Sequence, residues 1–124
     1  MNHAGIRSAL SRIAWAYLLI HLHFRLNNLD LLPDWAGAAA CIATNRITVE
    51  GRKVGYCYRE IPDGNWDSGW RFTAGDESDE YMDDPNNAGI YKLNTICNDD
   101  PDIISLLNTP APCAFEREDR KSVV

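Results

Sequence analysis

Two short segments of alternating side-chain character constrain this chain most strongly, because they require a β-sheet. In "WRFTA", Trp70 and Phe72 fall on one face of an extended backbone and Arg71 falls on the other. The segment "VGYCYRE" repeats the pattern, with Tyr56 and Tyr58 at alternate positions. A period of two is typical of strands that bury one face. Each segment is therefore predicted to be a strand of one small sheet.

The stretch before "VGYCYRE" predicts another strand and a hairpin. Ile47 and Val49 alternate with polar residues, and Gly51 marks a turn before the next alternating segment. Glycine is favoured in tight turns because it adopts backbone conformations that other residues avoid. We therefore expect these two strands to pair antiparallel. The segments "IYKLNTI" and "CAFERE" are predicted to be further strands.

Two other segments predict short helices. "DESDEYMDD" has an acidic first turn, which the positive end of the helix dipole favours. In "NDDPDIISLLNTP", Asp100 suits the cap, Pro101 suits the first helical position, and Pro110 ends the helix. The predicted fold class is therefore α+β, a small antiparallel sheet with one or two short helices on one face. The residues expected in its core are Tyr56, Tyr58, Trp70, Phe72, Ile103, Leu106, Leu107 and Phe115.

A shift in charge between Pro33 and Gly37 divides the chain. Residues 1–37 hold three basic and two acidic residues, whereas residues 38–124 hold nine basic and sixteen acidic residues. We interpret this as an N-terminal apolar helical extension over 1–37 and a functional α+β domain that follows it. The domain is expected to cover residues 38–118, with a frayed C-terminal tail over residues 119–124.

The N-terminal segment "RIAWAYLLIHLHFRL" includes twelve largely apolar residues, from Ile13 to Phe24. A membrane span needs about 20 such residues, so no stable span is expected. Three interpretations stay open: a helix that packs on the following domain or on another chain, an export or anchoring signal, and an extension upstream of the functional domain. All three place the function elsewhere in the chain.

Charge and cysteine content limit the possible partners. The net charge of −6 argues against nucleic acid and anionic membranes, which attract basic patches, and it is compatible with a basic partner. The four cysteines have no CxxC spacing and no nearby histidine, so zinc is not expected. We predict reduced, mostly buried thiols in a cytoplasmic protein.

The segment "DSGWRFTAGDESDEYMDDP", which begins at Asp67, sets seven carboxylates beside two large aromatic residues. Asp63, Asn65 and Asp67 begin a calcium-loop pattern, but Ser68 and Ala74 stand where that pattern requires Gly and Glu. Closely spaced acids in a short helix mostly face water, and no paired nucleophile and base lie nearby. We therefore expect a solvated acidic face without a metal, a cofactor or catalysis, and such a face can bind a partner.

The residues around Trp70 have structural interpretations as well. Gly69 is predicted to supply an unusual dihedral angle in the "DSGW" turn, with Trp70 in the core. Trp66 lies in a loop and is a candidate exposed anchor, since tryptophan is enriched at interface hot spots. Either Arg59 or Arg71 is expected to form a structural salt bridge with a nearby carboxylate, the candidates being Glu60, Asp67 and Asp76.

Several motifs together resemble a known family. They are "ACIATNRITVEG", "VGYCYRE", "DSGWRF", "AGDESDEYMDD", "NAGIYKLNTI" with "DPDII", and "CAFERE". In combination, over roughly two thirds of the chain, they resemble the bacterial DUF2185 family, also described as Imm33-type immunity proteins of polymorphic toxin systems. The resemblance implies a small α+β domain that neutralises a toxin by binding it and is not an enzyme.

The resemblance also implies a role for the acidic segment, which a rigid sheet would hold over the functional surface of a toxin. Complementary charge of this kind mainly raises association rate and specificity. The candidate partner-binding residues are Trp66, Asp67, Arg71, Asp76, Glu77, Asp79, Glu80, Tyr81, Met82, Asp83 and Asp84. Two alternatives stay open: a housekeeping ligand-binding or regulatory domain without a toxin partner, and a carboxylate enzyme or metal protein.

Overall fold

The computed structural model describes residues 29–118, and these form a five-stranded sheet with short helices. The strands are β1 (Ala40–Thr44), β2 (Tyr56–Arg59), β3 (Asp67–Thr73), β4 (Ala88–Lys92) and β5 (Cys113–Glu116). The α-helices are α1 (Asn45–Thr48), α2 (Asp79–Asp83) and α3 (Leu93–Asp99), and two 3-10 helices, η1 (Pro85–Asn87) and η2 (Pro101–Leu106), complete the fold. Most of the predicted N-terminal apolar helix and the predicted C-terminal tail lie outside the described residues.

The sheet is mixed, in the order β4-β1-β3-β2-β5. The strands β1 and β3 run parallel, whereas every other neighbouring pair is antiparallel. The α+β class is therefore confirmed, and the expectation of a wholly antiparallel sheet is wrong. The predicted hairpin is also wrong, because its first segment is helix α1, and β1, which precedes that helix, is separated from β2 by β3.

The segment around Ile47 forms a helical turn and not the predicted strand. Helix α1 places Ile47 fully in the core, while Val49 follows the helix and is 73% exposed. Four residues are too few to establish a helical period in the sequence, and the β-branched residues favoured the strand prediction. Packing in the core overrides that local preference.

The core lies on the face of the sheet that is covered by α1, α3 and η2. The rings of Trp70 and Phe72 in β3 stack at 5.8 Å between centroids, and Phe115 packs beside Trp70. Opposite them the helices contribute Ile47, Leu93, Ile96, Cys97 and Ile103. The apolar side chains whose burial stabilises the domain therefore lie on one side of the sheet, beneath the helices.

Most of the predicted core is confirmed. Trp70, Phe72, Ile103 and Leu107 are buried, and Leu106 and Phe115 are partly buried against them. Tyr56 and Tyr58 are corrections, because Cys57 is the residue of β2 that enters the core, opposite Phe72. Tyr56 is 38% exposed and Tyr58 is partly buried on the other face. A period of two separates the faces of a strand without identifying the inner one.

The remaining elements agree in part with the predictions. Helix α2 forms within "DESDEYMDD", where the Ser78 hydroxyl accepts a hydrogen bond from the Tyr81 N–H. Asp100 caps the helix that begins at Pro101, although this helix is 3-10 and not α. The segment "IYKLNTI" is strand only up to Lys92, because Leu93, Ile96 and Cys97 recur at helical spacing and α3 begins there.

Gly69 allows β2 and β3 to approach each other where Glu60 follows β2. Its φ angle is +88°, and a Cβ atom built on Gly69 would overlap the carbonyl oxygen of Glu60. The carbonyl of Gly69 accepts a hydrogen bond from the Glu60 N–H at 2.9 Å. The predicted unusual dihedral angle at Gly69 is therefore confirmed, and the close approach of two backbones requires it. The predicted "DSGW" turn is wrong, because these residues belong to β3.

We expect Gly69→Ala to destabilise the domain more than Gly51→Ala. Both glycines have positive φ angles, which cost an alanine about 1–2 kcal/mol. Only Gly69 adds a backbone overlap, and overpacking of this kind costs a further ~1–3 kcal/mol. Urea denaturation of the two variants and the parent protein measures the difference. Equal losses in the two variants would show that the Glu60 carbonyl is not the constraint.

Candidate functional site

The acidic segment follows the end of β3 and is anchored to the sheet through Glu77. One carboxylate oxygen of Glu77 accepts hydrogen bonds from the Thr44 hydroxyl at 2.6 Å and from the Ala74 N–H at 2.8 Å. The other oxygen accepts the Gly75 N–H at 2.9 Å. Burial by itself opposes ionisation of Glu77, but these hydrogen bonds outweigh it and hold its pKa below the usual value. Glu77 is therefore an ionised anchor at the end of the sheet.

Two further acids of the segment also contact the fold. Asp76 forms ion pairs with Arg46 and Arg52, and the hydrogen bond from Arg52 lowers the pKa of Asp76. The Asp84 carboxylate accepts a hydrogen bond from the Asn86 N–H at 2.9 Å and caps η1. These two carboxylates therefore fix the entry to and the exit from α2.

Helix α2 presents the remaining acids to solvent. Asp79, Glu80 and Asp83 are exposed, and none of the three forms an ion pair within residues 29–118. Met82 is 46% exposed beside them. Tyr81 fixes the helix from the other side, because the Arg46 guanidinium lies over its ring at 4.8 Å from the centroid. The helix is thus held by its ends and by Tyr81, with three carboxylates and Met82 exposed.

Asp67 and Arg71 lie inside the protein, in contrast to the contact role expected for them. The Arg71 guanidinium donates to both oxygens of Asp67, at 2.9 and 2.8 Å, and to Glu60 at 2.6 Å. The side chain of Asp67 is fully buried and that of Arg71 is 8% exposed. The hydrogen bonds from Arg71 hold the pKa of Asp67 well below its usual range. The predicted structural salt bridge of Arg71 is confirmed, and both residues belong to the scaffold.

Trp66 lies at the opposite end of β3 from α2. Its side chain is 47% exposed, and its carbonyl accepts a hydrogen bond from the Ala40 N–H at 3.1 Å. The seven residues of β3 separate Trp66 from the acidic segment, which corresponds to about 20 Å of extended chain. Trp66 is therefore exposed, as expected of an anchor, but the sheet does not bring it next to the carboxylates of α2.

The face of the sheet opposite the core, which we call the outer face, runs from Trp66 towards α2. Strand pairing sets Ile90, Ile42, Arg71 and Tyr58 in one row across four strands. Ile90 is 65% exposed, and Tyr56 follows in the next row. Sequence reasoning missed this face because it assigned both tyrosines to the core.

Within residues 29–118 no three His, Cys, Asp or Glu side chains are grouped so as to hold a metal ion. In the calcium-like stretch, the Asp67 carboxylate accepts hydrogen bonds from Arg71 and from the Asp63 and Gly69 N–H groups. None of the helices in this part of the chain is long and apolar enough to span a membrane.

Comparison with known proteins places this chain in a class of immunity domains. Residues 41–124 match the family model described as the immunity protein Imm33 domain. The chain therefore belongs to the Imm33 family, which confirms the resemblance of its motifs and implies a function in toxin immunity. No curated protein and no solved structure matched the chain.

We expect Asp67→Asn to lower the free energy of unfolding by about 3–5 kcal/mol, because it leaves the buried Arg71 guanidinium without its bidentate partner. Asp63→Asn is the matched control, since Asp63 is an exposed acid in the adjacent loop. Chemical denaturation at neutral pH measures both variants. A loss no larger than that of the control would contradict the structural role of the pair.

The same pair predicts a pH dependence. The pKa of Asp67 is lower in the folded protein than its ordinary value of 3.8, so its contribution to stability is present above that value. The contribution is lost as the pH falls through the lower, folded pKa. The stability difference between the parent protein and Asp67→Asn should therefore shrink below about pH 4. A difference that is constant from neutral to acid pH would contradict this assignment.

Proposed function

We propose that this protein neutralises a partner toxin by direct contact through an acidic and aromatic surface formed by α2 and the adjoining part of the outer face. The observation that supports the proposal is that some acids of the segment anchor it to the fold while others are exposed. Asp76 and Glu77 anchor the segment, whereas Asp79, Glu80 and Asp83 are exposed and make no ion pair within the described part of the chain. Exposed charge on an anchored helix is suited to meeting another protein.

Rigidity of the helix supports this proposal. Binding costs free energy when a loop or side chain must be ordered at the interface. Helix α2 is already fixed through the Ser78 cap, the Arg46–Tyr81 contact and the anchoring acids. Less ordering is therefore needed when a partner binds than for a mobile acidic loop.

The charge of the surface supports a basic partner. Three carboxylates within one turn and a half of helix attract positive side chains over a distance of about 8 Å at physiological salt. Such complementarity raises the association rate and the specificity, while affinity comes from a few desolvated contacts. Met82 and Tyr56 are exposed next to the acids and are the candidates for those contacts.

The protonation of the acids supports binding rather than catalysis. A carboxylic acid that acts as a general acid near neutral pH needs a raised pKa. In this segment the pKa values of Asp67, Asp76 and Glu77 are lowered by hydrogen bonds from arginine, hydroxyl and backbone donors. These carboxylates are ionised at neutral pH and act as charges and anchors.

The cytoplasm is the proposed site of action, and cysteine chemistry supports it. Cys41, Cys57, Cys97 and Cys113 carry free thiols, three of them buried. Burial raises the pKa of Cys57 to about 11 and that of Cys97 to about 12, which keeps both as neutral thiols. Such cysteines behave as small apolar core residues of a protein in a reducing compartment.

Co-expression with the toxin encoded beside this gene tests the proposal. Growth should be rescued, and the two proteins should co-purify as a complex. Failure of both would reject toxin neutralisation for this protein and favour the alternative, a housekeeping ligand-binding or regulatory domain. The identity of the neighbouring genes separates the same two functions, because a secreted toxin beside this gene favours the first.

We expect Asp79→Lys/Asp83→Lys to slow association with the toxin by at least about tenfold, because it reverses two exposed charges on α2. Asp30→Lys/Asp34→Lys makes the same change in net charge before β1 and is the control. Stopped-flow or surface-binding kinetics at two salt concentrations measure the rates. Equal slowing by both variants would indicate a non-specific effect of net charge and would move the contact surface away from α2.

A further inference from the structure

A shallow cavity of about 210 Å³ lies where the outer face of the sheet meets the acidic segment. It is lined by Tyr56, Tyr58, Thr73, Gly75, Glu77 and Met82. Small-molecule sites usually measure about 300–1,000 Å³, so this cavity is smaller than a typical ligand site. Its size suits one long side chain of a partner protein.

Two tyrosine rings form one wall of the cavity. The rings of Tyr56 and Tyr58 lie 5.9 Å apart between centroids and are inclined by 39°. Both project from β2, which is paired on one side with β3 and on the other with β5. The wall is therefore fixed before a partner arrives, and aromatic faces attract cations.

Glu77 adds a negative charge to the same cavity. Its hydrogen-bond donors, which are the Thr44 hydroxyl and the Ala74 and Gly75 N–H groups, are all neutral. These bonds stabilise the carboxylate without cancelling its charge. A carboxylate beside two aromatic faces is the combination that recognises a cation with an apolar stem. Met82, whose unbranched side chain is exposed, also lines the cavity and can adapt to that stem.

We propose that this cavity receives one basic side chain of the toxin, with arginine preferred over lysine. The guanidinium group is planar and stacks on aromatic rings, and it binds carboxylates through several donors. Met82 lines the cavity and belongs to α2, so the exposed carboxylates of the same helix would attract the basic segment that carries this side chain. The inference rests on the proposed function, since it names the contact that anchors the toxin.

The test is the affinity of the neighbouring toxin for single-residue variants of the cavity wall. Tyr56→Leu and Tyr58→Leu keep an apolar side chain and remove the aromatic face. Each should weaken binding by roughly 2- to 30-fold, the range expected for loss of a cation–π contact. Val49→Ala is the control, because Val49 is 73% exposed outside the cavity. Thermal unfolding of each variant checks that the fold is intact.

The outcomes separate this inference from the proposed function. If the parent protein does not bind the toxin, both are wrong. If it binds, and Asp79→Lys/Asp83→Lys weakens binding while the tyrosine variants bind like the parent protein, the cavity inference is wrong and the proposed function stands. Weakening by the tyrosine variants but not by Val49→Ala supports the cavity.

A second measurement does not depend on the toxin. Arginine amide is titrated into the isotope-labelled protein, and citrulline amide, its neutral isostere, is the control. Arginine amide should shift the backbone amide signals of Tyr56, Tyr58, Gly75 and Glu77, and citrulline amide should not. Equal shifts from both compounds, or arginine shifts spread evenly over the acidic surface, would overturn the inference.

Discussion

The ion pair between Asp67 and Arg71 is the interaction on which the rest of the structure depends. It occupies the central strand, whose seven residues are all buried, and it places a charged guanidinium on the outer face opposite Trp70 and Phe72. Asp67 cancels that charge, and it also accepts hydrogen bonds from the Asp63 and Gly69 N–H groups. One carboxylate thus fixes the loop before β3 and leaves the outer face without an excess of positive charge.

Because Asp67 cancels the charge of Arg71, that positive charge does not offset the negative charge of the acidic segment. If the positive charge of Arg71 were not cancelled, it would offset part of the negative potential beside Tyr58, with which Arg71 interacts electrostatically. Within the segment the acids then differ in role according to their contacts. Asp76 and Glu77 are bound to groups of β1, α1 and the loops, whereas the acids of α2 are exposed and form no ion pair within residues 29–118. The scaffold and the charged surface therefore use different residues of one short stretch.

The sequence predicted local features well and long-range ones poorly. The alternation in "WRFTA" and the cap at Asp100 depend on neighbours in the chain, whereas the φ angle of Gly69 depends on the backbone at Glu60. The inward face of β2 depends on which residue of β3 lies opposite, and Tyr and Cys are both compatible with burial. Similarly, one of the three donors that hold Glu77, the Thr44 hydroxyl, comes from 33 residues earlier in the chain, so this contact could not be predicted from neighbouring residues. The parallel pairing of β1 with β3 also depends on contacts between residues that are far apart in the sequence.

Different residues stabilise the fold and form the charged surface, so the surface can change without loss of the fold. Surface substitutions that touch no cap, core residue or buried ion pair change stability by only about 0.5 kcal/mol. Asp79, Glu80 and Asp83 are of this kind, whereas Asp67 and Glu77 are bound into the fold. The charge pattern of α2 can therefore vary with the toxin while the sheet, its ion pair and the aromatic wall stay unchanged. Specificity would lie in α2, and the fixed tyrosine wall would supply a contact common to different charge patterns.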